Sequence, residues 1–274
     1  MIQSLNDLKY SVTTMDATTP TTFILGFNLL LLSIFISVFV NIANAASEID
    51  KLTALINQDE ANAQLYIRRA DIYFQQNSFF DAVEDYTTAI ELDPGADQAY
   101  FGRGMANARQ GYIDEGIADL SVYIERHPDD SRAYTKRGVR YLWKQDFINA
   151  EKDLTKAVEL DNTNAEAHDD LGVVLARKRQ YPQAIEHFRA TIQHDPSYQK
   201  AYHNLALTLY LAGQDEQALL MVNHAVALNP NHRDALMLKS QVLKTLGRPG
   251  EAAAAQEAAE FLPETNWSEA VPVE

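Results

Sequence analysis

A chain of 274 residues, 46% hydrophobic and 22% charged, has the composition of a folded protein of one large or two ordinary domains. Its net charge of −15 and pI of about 4.8 exclude the basic face that a nucleic-acid partner needs. The absence of cysteine excludes disulfides, zinc ribbons and thiolate catalysis.

The first element is apolar. Phe23 to Val40, FILGFNLLLLSIFISVFV, runs for 18 residues without a charge. Ala43-Asn44-Ala45 follows, the small-x-small pattern that a signal peptidase reads, with Ala46 as the new first residue. The run also approaches the length of a membrane-spanning helix. Lys9 is the only base before it, against Asp7 and Asp16, so flanking charge sets little orientation. Two readings follow. Residues 1–45 are a signal peptide, leaving a soluble periplasmic chain after cleavage between Ala45 and Ala46. Alternatively, residues 23–40 stay as an anchor in the inner membrane. Both expect an exported protein.

Next, SEIDKLTALINQDE puts Ile49, Leu52, Leu55 and Ile56 on one helical face, which predicts a capping helix over 46–62. From there the sequence repeats. Pro94, Pro128, Pro196 and Pro230 fall on a 34-residue grid, with Asn162 in the open slot. Tyr66, Tyr100, Tyr134 and Tyr202 keep the same step, with His168 among them. So do the small residues Ala70, Gly104, Gly138, Gly172, Ala206 and Ser240, and a second set, Ala82, Gly116, Ala150, Ala184, Ala218 and Ala252. Tyr66, Arg69, Ala70 and Tyr73 share one helix face, and Ala82, Tyr86, Ala89 and Ile90 share another. Asn77, Gly111, Gly213 and Gly247 occupy the turn between the two helices, where a left-handed conformation ends the first. The proline after each second helix prevents its continuation.

This pattern resembles the tetratricopeptide repeat (TPR) family. The resemblance covers six units, 63–96, 97–130, 131–164, 165–198, 199–232 and 233–262, the last also closing the array. It implies an all-α fold: a right-handed superhelical TPR solenoid of six helix–turn–helix units with an N-terminal capping helix. The closing helix, GEAAAAQEAAEFL, is alanine-rich, with Gln256 where earlier units carry Tyr86 and Phe188. Residues 263–274 are expected to form an acidic mobile tail.

Two sets of residues stand out against the repeat. Arg69, Arg103 and Arg137 accompany Asp85, Asp119 and Asp153 and disappear with them, since later units have Leu171 with His187 and Leu205 with Met221. The co-occurrence predicts three structural ion pairs, Arg69-Asp85, Arg103-Asp119 and Arg137-Asp153, because a partly buried arginine is costly without its carboxylate. The second set comes from the resemblance, which implies that fixed positions of each first helix line a concave groove for partner peptides. Position nine reads Asp71, Met105, Val139, Val173, Leu207 and Gln241, with four consecutive apolar residues. Position five reads Ile67, Phe101, Thr135, Asp169, His203 and Met237. An apolar stripe of this kind marks a binding surface. One TPR subclass grips a peptide carboxylate with a lysine, two asparagines and a final basic pair. Here Ile67, Asp71 and Gly102 replace the first three, and only Arg132 and Lys136 match the pair.

Nothing points to catalysis. The seven histidines show no metal-ligand spacing, and no phosphate loop, nucleophile elbow or nucleotide fingerprint occurs. No cofactor is expected. The paired acids Asp129-Asp130 and Asp169-Asp170 are read as helix-start residues that complement the dipole. The sequence predicts a non-catalytic scaffold outside the cytoplasmic membrane that holds a protein or peptide segment. The alternatives are a self-assembling homodimer and a regulatory subunit of an envelope enzyme.

Overall fold

Helices form where apolar residues recur at three- and four-residue spacing between turn signals. The structure, a computed structural model, describes residues 45–263 and contains thirteen helices and no strand among them. The segment from Phe23 to Val40 and most of the acidic tail lie outside the described residues. The chain divides at residue 60 into two compact units. The first contributes α1, described over 45–56, which includes Ala45 and Ala46. Leu52 and Ile56 are buried there, whereas Leu55, expected on the same face, is 44% exposed. Leu52 and Ile56 stand four residues apart and define the buried line, and Leu55 falls to its side.

The second unit holds the repeats. Its helices are α2 (Ala63–Gln75), α3 (Phe79–Leu92), α4 (Asp97–Arg109), α5 (Ile113–Arg126), α6 (Ser131–Trp143) and α7 (Phe147–Leu160). They continue with α8 (Ala165–Arg177), α9 (Tyr181–His194), α10 (Gln199–Leu211), α11 (Asp215–Leu228), α12 (Arg233–Thr245) and α13 (Pro249–Glu260). Even-numbered helices are the A helices of successive repeats, and the odd-numbered helices from α3 onward are the B helices. Each A helix packs on its own B helix, and each B helix packs on the next A helix. Successive A helices also touch one another, while successive B helices do not. The second unit is therefore a helical-repeat solenoid with its A helices on the inner side.

Two recurring turns set this geometry. Between A and B, the chain turns through a left-handed residue at Asn77, Gly111, Gln145, Arg179, Gly213 and Gly247, with φ between 59° and 91°. In the first repeat the Ser78 N–H donates to the Tyr73 carbonyl at 2.9 Å and the Asn77 N–H to that of Phe74 at 3.0 Å. This double closure satisfies the last carbonyls of the A helix. Between B and the next A, an acidic or amide side chain accepts the N–H two residues on. Asp93 does so from Gly95, Asp161 from Thr163, Asp195 from Ser197 and Asn229 from Asn231, at 2.8–3.0 Å.

Small residues bring the A and B helices together. A Cβ on Gly116 would sit 2.7 Å from the carbonyl oxygen of Gly104, so these two backbones touch. One large residue per B helix fills the space beside this contact: Tyr86, Leu120, Leu154, Phe188 and Val222, all buried. Each contributes about 1.5–3 kcal/mol by leaving water. At the same place in the last B helix, Gln256 is half-buried, accepts from Lys244 at 2.8 Å and donates to Glu260 at 3.2 Å. One apolar cluster runs from Ala150 to Ala255 and a second from Ile67 to Ala106.

Gln145 and Arg179 hold the left-handed conformation without being glycine. Gln145→Gly and Arg179→Gly are each expected to raise stability by about 0.5–1 kcal/mol, the steric relief outweighing the added freedom of the unfolded chain. Urea unfolding measures this, and a lowered midpoint in either variant would contradict the assignment.

Candidate partner-binding face

The arginine–aspartate sets lie between A and B helices. Arg69 donates Nε and Nη2 to Asp85, both at 2.7 Å. Arg103 grips Asp119 at 2.9 and 2.8 Å, and Arg137 grips Asp153 at 2.7 and 2.8 Å. Such two-pronged pairing is the strong geometry for a guanidinium. The hydrogen bond that Arg69 donates to Asp85 raises the arginine's pKa, with burial opposing it. A further link escaped the sequence reading. Arg103 Nη1 donates to Thr87 Oγ1 at 3.2 Å, and Arg137 Nη1 to Ser121 Oγ at 2.9 Å. Each of these arginines thus joins its own B helix to that of the preceding repeat. The signal was present in the 34-residue spacing of Thr87 and Ser121.

In the fourth repeat Leu171 leaves the slot apolar, and His187 turns to His168 instead. Their Nδ1 atoms lie 2.9 Å apart, and His168 Nε2 lies 3.1 Å from the Asn162 carbonyl. Burial lowers both pKa values, so at neutral pH both rings are uncharged and one Nδ1–H can donate to the other. His203 is held down to about 4, first by burial and then by neighbouring His232. Among the described residues no cluster of His, Asp or Glu could hold a metal ion.

The inner face carries the apolar stripe. Met105, Val139 and Val173 are half-buried, and Leu207 is 38% exposed. Asp71, exposed at the first position of this row, accepts the Tyr86 hydroxyl at 2.5 Å. Phe101 is half-buried, edge-on to Tyr123 at 5.1 Å, with Arg132 4.9 Å from its ring centroid. His203 is half-buried beside His232, and Met237 is 42% exposed.

Three residues placed in the groove by sequence do not line an open surface. Ile67 is buried in the first cluster. Thr135 is buried, donates to the Ser131 carbonyl at 3.0 Å and accepts from Asn164 at 3.2 Å. Asp169 is fully buried, with Asn204 donating to it at 3.0 Å and Lys200 3.1 Å away. The next A helix covers these positions, so a partner would meet their neighbours instead.

A charged seam crosses the third, fourth and fifth A helices. Lys136 pairs with Glu166 at 2.5 Å, and Lys200 lies 3.1 Å from Asp169 and 3.8 Å from Asp170. The Asp169-Asp170 pair is therefore buried in the second turn of α8, not a helix-start residue pair. Asp130 does sit at a start, accepting the N–H groups of Arg132 and Ala133. Burial raises both Asp169 and Asp170, the latter to about 7. Burial works against the Lys200 charge, but the two carboxyls outweigh it and raise its pKa. The final basic pair of the carboxylate clamp is thus half engaged: Arg132 is exposed, 3.6 Å from Asp130, while Lys136 is held by Glu166.

Three repeat-family models match the chain: one described as "TPR repeat" over residues 70–111, and two as "Tetratricopeptide repeat" over 135–199 and 175–242. No curated protein sequence matches. Among solved structures, YrrB, described as a TPR protein with an unusual peptide-binding site, is 26% identical with a TM-score of 0.56, covering 68% of this chain and 95% of its own. A tetratricopeptide repeat protein from Parabacteroides merdae is 18% identical with a TM-score of 0.65, covering 83% and 90%. The pilF protein of Pseudomonas aeruginosa is 17% identical with a TM-score of 0.64, covering 73% and 90%. The last two share the fold.

Arg103→Leu alone strands Asp119 among buried neighbours and is expected to lower stability by about 3 kcal/mol. Arg103→Leu with Asp119→Leu should recover most of that loss. Urea unfolding of the single and double variants checks this, and a single variant as stable as the wild type would contradict it.

Proposed function

The chain belongs to the tetratricopeptide repeat family, and we propose that it holds a segment of a partner protein along its A helices, outside the cytoplasmic membrane. An interaction scaffold is the coarse function that the repeats support. The single observation behind the finer reading is the row Met105, Val139, Val173 and Leu207, apolar side chains at successive equivalent positions that keep part of their surface toward solvent. Water in contact with such a row is displaced favourably by an extended or helical segment with apolar side chains. The likeness to YrrB, whose description names a peptide-binding site, supports a peptide ligand. A net charge of −15 argues against a nucleic-acid ligand.

The location rests on the apolar stretch Phe23 to Val40 and the small residues that follow it. In this proposal residues 1–45 direct export, and the repeats work on the far side of the membrane, released or tethered. The chain then acts by bringing envelope proteins together, with no reaction of its own.

Affinity capture from a native envelope extract tests the surface directly. The wild type should retain a protein that the Met105→Asp/Val139→Asp variant loses. Equal retention by both would move the site off the A helices. No retention, together with a dimer by light scattering, would make self-assembly of the chain the leading reading in place of partner binding.

A further inference from the structure

The tenth position of the A helices reads Ile72, Ala106, Arg140, Val174, Thr208 and Val242. Ala106, Val174, Thr208 and Val242 are buried, so this is a framework position that favours small or apolar side chains. Arg140 occupies it with only 3% of its surface exposed. The arginines between A and B helices show what a structural guanidinium looks like in this fold: each of Arg69, Arg103 and Arg137 holds an aspartate with two hydrogen bonds. Among the described residues no carboxylate grips Arg140 in this way, and its Nε is buried there without a hydrogen-bond partner. Its Nη2 donates to the Met105 sulfur at 3.3 Å, and its guanidinium lies 4.3 Å from the centroid of the Trp143 ring. Burial and the nearby Arg109 charge lower its pKa to about 10, which leaves it charged at neutral pH. Glu166 and Asp170 exert a favourable pull, but they are engaged by Lys136 and Lys200.

A buried cation without its counter-ion is costly, and a position that elsewhere takes valine or alanine could avoid the cost. Arg140 also touches the partly exposed row through Met105, an unbranched side chain that can swing aside. From this placement we infer that Arg140 receives the carboxylate of a glutamate or aspartate in the partner segment, with that residue's apolar neighbours lying along Met105, Val139 and Val173. The inference rests on the proposed use of the A helices as the binding face. It differs from the carboxylate clamp of the related subclass, because position ten is outside that set and the clamp residues are largely replaced here. The chain's overall negative charge does not prevent it, since screening confines the interaction to charges within about 8–10 Å.

The probe is a pair of fluorescein-labelled peptides, Gly-Val-Leu-Glu-Val-Leu-Gly and its glutamine twin, followed by anisotropy against the full chain. A hydrogen-bonded carboxylate–guanidinium contact is expected to favour the glutamate peptide about tenfold. In Arg140→Met that preference should fall to about twofold or less. Equal binding of the two peptides, binding of neither, or a preference that survives Arg140→Met would overturn the assignment. Val139→Asp separates the role of the A-helix face from the role of Arg140. If both peptides bind the wild type equally and Val139→Asp removes both, the face is right and the role of Arg140 is wrong. If Val139→Asp leaves peptide binding intact, the face itself is wrong. A ligand-free measurement adds an independent check. Arg140→Met should raise Tm by roughly 2–4 °C, as expected when an uncompensated buried charge is removed. A lowered Tm would show that the arginine serves the fold and would overturn the inference.

Discussion

A single helix pair of this sequence cannot bury its own apolar face, and the architecture follows from that constraint. Each pair exposes a face of A and B residues that only the next pair can cover. Close approach is therefore needed twice, within a pair and between pairs. Glycine and alanine provide it within the pair, as where the backbones of Gly104 and Gly116 touch. One large side chain per B helix then fills the space left over. The inner A surface is spared from this packing, and its side chains are free to differ from repeat to repeat.

The repeats meet this constraint in two ways. In the first three, Arg69, Arg103 and Arg137 fasten A to B through an aspartate, and the latter two also reach back to Thr87 and Ser121. In the fourth and fifth, Leu171 and Leu205 replace the arginine, and the apolar cluster continues to Ala255. A polar seam specifies geometry through directed bonds, whereas an apolar core adds stability through area. Arg140 lies in the last repeat of the first scheme, and the stripe from Met105 to Leu207 spans the change to the second. The charged seam of Lys136, Glu166, Asp169, Asp170 and Lys200 crosses the same region.

Much of this was legible because it repeats. Spacing alone revealed the helix pairs, the small-residue contacts and the glycine turns, since the same physical demand recurs every 34 residues. Non-recurring features were harder to read. Gln145 and Arg179 adopt the left-handed turn because the closure of the preceding helix imposes it, and nothing about either residue type announces that. Thr135 and Asp169 occupy positions that the family resemblance assigns to the groove, but Asn164, capping the next A helix, engages the first, and Lys200 and Asn204 on the next A helix engage the second. Arg140 was less legible because its column is one of buried framework positions, although a lone arginine among small and apolar residues stands out in the sequence.

The claim on which the account turns is that the A helices, not the B helices, meet the partner. Amide hydrogen exchange of the chain with and without its captured partner tests it most directly. The account predicts slowed exchange concentrated in α4, α6 and α8, with the B helices unchanged. Protection confined to α5, α7 and α9 would contradict it.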